Sequence, residues 1–74
     1  MEIKKYDIVI ADGEVQQYLG KEMDNGAIVQ DKHTKETLIH EGLIQRKANK
    51  DEVKWFCENT ENINFIPPKR NGIF

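Results

Sequence analysis

The sequence predicts a small, mainly β domain: a barrel of about five strands with one helix toward its C-terminal end. Three observations lead there. Short apolar bursts between Tyr6 and Ile44 are separated by turn-forming residues, as in a meander of strands. The bursts are rich in Ile and Val, whose branched side chains suit a pleated, half-buried surface. One stretch, 49–59, changes to a helical period behind a capping residue.

The elements follow in order. Residues 1–5 are a lead-in, with pairing allowed from Ile3. A first strand is expected near 6–11, where Ile8-Val9-Ile10 is β-branched throughout, and Asp12-Gly13 ends it in a tight turn. Residues 14–23 read as a longer strand with Val15 and Leu19 turned to the core and Gly20 as a bulge or bend. Asp24-Asn25-Gly26 is the strongest local signal, with Asn25-Gly26 expected at the two positive-φ positions of a type I′ turn. Strands near 27–31 and 36–40 form a second hairpin with Lys32-His33-Thr34-Lys35 at its tip. Gly42 breaks the chain before Leu43-Ile44, and residues 45–48 read as a polar connector.

Asn49 is a good N-cap, and Glu52 completes a capping box for a helix over 50–59. Val53, Phe56 and Cys57 share the face that docks on the barrel. Asn62-Ile63-Asn64-Phe65-Ile66 alternates polar and apolar, so it reads as a final strand over 62–66 with Ile63 and Phe65 inward. Pro67-Pro68 ends it. The tail 67–74 closes on Ile73-Phe74, two apolar residues that either fold back or meet another chain. The layout is thus one domain, 1–74: barrel 3–44, helix 49–59, last strand 62–66 and tail.

Composition sets the background. A chain of 74 residues buries only ~60% of the surface it exposes unfolded, so its core is small. Its one cysteine allows no internal disulfide, and MEIKKYD has no apolar run behind its lysines. No stretch has the ~20 apolar residues of a membrane span. The expectation is a cytoplasmic protein that does not enter the membrane. The net charge of −2 weighs against nucleic acid as a partner, although charge distribution counts for more than the sum.

Tyr6-Asp7-Ile8-Val9, Asp12-Gly13-Glu14-Val15, Gly26-Ala27-Ile28-Val29 and Leu43-Ile44 together resemble the small SH3-like barrels, including those with a KOW-type opening. The resemblance spans about residues 6–44. It implies a long bent hairpin followed by a short helical turn ending on an apolar residue. The chain departs from KOW modules in lacking their second glycine and basic loops, so their nucleic-acid role does not carry over. Small proteins of bacteriophages and integrated elements often share this look. SH3-like barrels host many unrelated functions, so the likeness bears on fold alone.

The inventory for catalysis is thin. There is no serine, and Cys57 on the helix's inner face reads as a small buried hydrophobe. His33 and His40 sit at opposite ends of one extended run, about 23 Å apart at ~3.3 Å per residue. No Cys/His cluster has metal-ligand spacing and no glycine-rich phosphate loop is present. No enzyme, cofactor or metal is therefore expected. The candidate binding residues are Trp55 and the cations near it in sequence: Arg46, Lys47, Lys50 and Lys54, with Lys69, Arg70 and Phe74 from the tail. Trp55 lies about 100° beyond Phe56 on the helix, so it either covers the barrel rim or stands out as an aromatic anchor. The cations form either a patch or only a solvated face. The function expected is a non-enzymatic binding module, an accessory or regulatory protein contacting another protein. The alternative is nucleic-acid binding through the basic helix and tail.

Overall fold

The computed structural model describes residues 2–68. Over these residues the chain is mainly β with one helix. Its strands are β1 (Ile8–Ala11), β2 (Glu14–Glu22), β3 (Gly26–Gln30), β4 (Glu36–His40) and β5 (Ile44–Lys47), and the helix is α1 (Lys50–Asn59). A 3-10 turn, Glu41–Leu43, joins β4 to β5. All pairings are antiparallel, in the order β4-β3-β2-β1-β5. β4 and β5 are the two edges and do not pair with each other, so the expected barrel is an open five-stranded sheet.

β1 is central because it can be buried on both faces. Its four residues, Ile8 to Ala11, are all buried. Ile8 joins Val53 and Phe56 under the helix, with Val15, Ala48, Cys57 and Phe65 packed around them. Val9 and Ala11 face the other way, on the side that β3 completes with Ala27 and Val29. β1 starts at Ile8, later than the sequence predicts, because Tyr6 takes a left-handed conformation (φ 78°). There the chain turns, with Asp7 donating its N–H to the Lys4 carbonyl at 2.9 Å.

The turns divide differently from the sequence prediction. Asp12 and Gly13 both have positive φ (51° and 79°) and join β1 to β2 as a two-residue hairpin. Asn25-Gly26 does not. The β2–β3 loop is the three residues Met23 to Asn25, with the positive φ (59°) at Met23, and Gly26 is already a strand residue opposite Glu22. Gly26 is required for space: a Cβ there would run into the Glu22 carbonyl oxygen and press on Leu38. The expected irregularity at Gly20 is present. The register of β2 on β3 shifts between Tyr18 and Gly20, and Gly20 has a φ of 142°.

Two other expectations are corrected. Residues 45–48, read as a connector, are largely β5. Gln45 and Arg46 point to solvent, so this edge strand carries no apolar alternation to reveal it. Residues 62–66 are not a strand. The Thr60 hydroxyl accepts from the Asn62 N–H (3.2 Å), and the Asn62 side chain accepts from the Asn64 N–H (2.9 Å). These side-chain bonds bend the chain, as Asn and Thr do when they compete for backbone donors. Ile63 is therefore exposed, while Phe65 still turns inward onto Phe56, with ring centroids 5.8 Å apart.

The helix is as expected. Asn49 caps it, its side chain accepting from the Glu52 N–H at 2.8 Å while Glu52 accepts from the Asn49 N–H at 2.8 Å. Val53 and Phe56 are buried and Cys57 is half-buried.

Because backbone, not a flexible side chain, blocks a larger residue at position 26, Gly26→Val should destabilise by about 1–3 kcal/mol. Asn25→Ala should stay within about 0.5 kcal/mol, since Asn25 does not occupy a left-handed position. Thermal melts of the two variants check this; a costly Asn25→Ala would restore the type I′ assignment.

Candidate functional site

The helix's packing decides where Trp55 goes. With Val53 and Phe56 turned to the sheet, Trp55 is rotated off that face and is 41% exposed. It neither closes over the core nor stands clear of the surface, but forms one wall of a groove. The opposite wall is the β3–β4 loop.

That loop is braced from within and from outside. The Asp31 carboxylate accepts from the backbone N–H groups of His33 (2.9 Å) and Lys35 (3.0 Å). The Asp31 N–H donates to the Lys35 carbonyl (3.2 Å), and Thr34 takes a left-handed φ of 65°. Beyond the helix, the Glu61 N–H donates to the Lys32 carbonyl (2.7 Å), and the Glu61 carboxylate lies 2.8 Å from His33 Nδ1. Asn62 adds a bond to the Gln30 side chain (3.3 Å). The loop is thus tied to the segment following α1. This places the Lys32 ammonium 5.3 Å from the centre of the Trp55 ring, within cation–π range. The groove, of about 340 Å³, is lined by Glu14, Val15, Asp31, Lys32, His33 and Trp55. Its walls combine an aromatic face, an aliphatic side chain and charges of both signs. Such a surface can hold a peptide side chain and its flanking polar groups.

Two of the predicted cations are engaged with carboxylates. Arg46 forms a two-pronged bridge to Glu52, at 2.7 and 2.8 Å. Lys47 lies 3.4 Å from the buried carboxylate of Asp7. Lys50 and Lys54 are exposed on the helix and form no ion pair among the described residues. Lys69, Arg70, Ile73 and Phe74 lie outside the described residues. The residues that sequence reasoning missed are Glu14, Asp31, Lys32 and His33. Their gathering depends on bonds from Glu61, 28 residues beyond His33, and no local pattern marks it.

Cys57 is half-buried; desolvation, with the nearby Glu58 charge, pushes its thiol above the usual range, which keeps it protonated at neutral pH. Among the described residues, no group of three or more His, Cys, Asp or Glu could hold a metal ion. Among them, too, no helix is long and apolar enough to cross a membrane.

Glu52 is the most perturbed carboxylate. The Arg46 hydrogen bond and then the Asn49 backbone N–H hold it down from 4.5 to about 2. A depressed folded-state value stabilises above the unfolded pKa and is lost as pH falls through the folded one. Wild type should therefore melt higher than Glu52→Gln at neutral pH, and the difference should shrink from pH 4.5 toward pH 2. A gap unchanged across that window in pH-dependent melts would remove the Arg46–Glu52 bridge as its cause.

Comparison with protein-family models, curated proteins and solved structures finds no match to this chain.

Proposed function

We propose that this protein is a non-enzymatic interaction module, an accessory or regulatory protein of the cytoplasm, which receives a segment of another protein in the groove beside Trp55. The observation that carries this reading is a half-exposed tryptophan held against a loop braced both from within and by the segment after α1. Tryptophan is enriched in interface hot spots, where a preorganised wall spares a partner the cost of ordering it. The long β2 bent at Gly20, the 3-10 turn and the return of β5 to β1 support a place among SH3-like barrels, as a fold assignment only.

The nucleic-acid reading is weaker. Phosphate binding needs unengaged cations, and two of the expected ones, Arg46 and Lys47, are bonded to carboxylates.

Trp55 is the only tryptophan, so its emission reports on the groove directly. A protein captured from the native cell, then purified, should shift that emission and lose about tenfold or more in affinity against Trp55→Ala. Binding should change little with added salt. A partner that binds Trp55→Ala as tightly as wild type would place the interface elsewhere. A partner removed by nuclease, with affinity falling steeply with salt, would favour nucleic acid.

A further inference from the structure

The sheet has two edges, and they are not alike. β5 is guarded: its pairing with β1 shifts register between Ile10 and Ala11. Its side chains are also engaged locally, Gln45 accepting from the Gly13 N–H at 2.8 Å and Arg46 bridging to Glu52. Bulges, prolines and lysines are among the usual means of keeping an edge from pairing. β4 has none of them. Glu36-Thr37-Leu38-Ile39-His40 runs in unbroken register on β3, with no proline, glycine or lysine.

Two hydrogen bonds identify which backbone groups of β4 are left over. The Asp31 N–H donates to the Lys35 carbonyl (3.2 Å) and the Glu41 N–H to the Asn25 carbonyl (2.7 Å), bracketing the strand at both ends. Bonded and non-bonded pairs alternate along an antiparallel ladder. Counting inward from either end gives the same result: Thr37 and Ile39 exchange bonds with Val29 and Ala27. The N–H and C=O groups of Glu36, Leu38 and His40 therefore point away from β3. Leu38 is 53% exposed and Met23 is 80% exposed, and both line a shallow hollow at this edge.

We propose that β4 pairs antiparallel with β4 of a second copy of this chain, about a two-fold axis at Leu38, making one sheet across a homodimer. The strand is its own antiparallel complement. Leu38 meets Leu38 of the second copy, Thr37 meets Ile39, and Glu36 meets His40, twice by symmetry. His40 is prepared for that pairing: its Nδ1 accepts from the Gly42 N–H at 2.9 Å, leaving Nε2–H to donate to a carboxylate. Sliding the pair by two residues leaves Glu36 and His40 without each other. None of these residues lines the Trp55 groove, so the two surfaces are separable.

Sedimentation velocity from ~10 μM to ~1 mM, the range of weak association, should show a reversible monomer–dimer equilibrium that stops at the dimer. In hydrogen exchange, the Glu36 and Leu38 amides should gain protection with concentration, while Thr37 and Ile39 are protected throughout. Glu36→Lys should weaken the dimer about tenfold through its two opposed pairs. Adding His40→Glu should restore it, because lysine then faces glutamate and the new carboxylate still accepts from Gly42. Leu38→Lys, which sets like charges across the axis, should abolish it. Each variant is first checked for wild-type Trp55 emission and melting; if one fails to fold, the wild-type exchange pattern decides. A chain monomeric at ~1 mM, assembly beyond the dimer, or a double variant as weak as Glu36→Lys alone would overturn the proposal.

Discussion

A buried amide ties the segments before β1 and after α1 to the sheet. The Gln17 side chain is 1% exposed, and a group so placed must find partners for its N–H donors. It donates to the carbonyls of Tyr6 (2.9 Å) and Ile66 (2.7 Å), 11 and 49 residues away. The first bond steadies the turn that delivers β1; the second holds the segment that brings Phe65 onto Phe56. Gln16 and Gln30, also buried, do similar service, Gln16 reaching the Ala11 carbonyl (3.0 Å) and Gln30 the Thr34 carbonyl (3.3 Å). In this small interior, side-chain amides stand beside the apolar core and satisfy carbonyls near the strand ends.

That arrangement also explains the groove. The segment after α1 is held at one end by Gln17 and at the other by the bonds of Glu61 and Asn62 to the β3–β4 loop. The loop is positioned by the same residues that position the helix's exit. Trp55 and Lys32 therefore meet through two elements locked to a common strap. The exposed His33–Glu61 pair contributes little energy by itself, but its geometry agrees with the backbone bond beside it.

Charge is used locally rather than as a field. Arg46 and Glu52 join β5 to the first turn of the helix, and Glu52 also completes the cap at Asn49. Lys47 meets Asp7 where β5 pairs with β1. Two of the cations that look like a cluster along the chain, Arg46 and Lys47, thus serve as fasteners at the guarded edge. The two edges differ accordingly: on β5, Arg46 and Lys47 are bridged to carboxylates and Gln45 is bonded to the β1–β2 turn, whereas β4 forms no ion pair among the described residues.

The sequence by itself determined the mainly β class, four of the five strands, the capped helix with Val53 and Phe56 inward, and the irregularity at Gly20. These depend on local period, capping and backbone sterics, which act within a few residues. Tertiary structure alone decided that 45–47 is a strand, because its pairing with β1 is made through the backbone while the side chains of Gln45 and Arg46 are exposed. It decided equally that 62–66 is not one, because Thr60 and Asn62 bind backbone donors that a strand would need. It also decided that Gly26 serves space rather than turn geometry, since the Glu22 carbonyl reaches it only once β2 and β3 are paired. The Trp55 groove belongs to the same group. Its tryptophan was visible in the helical period, but the residues facing it were gathered by hydrogen bonds spanning 28 or more positions, a distance over which no sequence pattern operates.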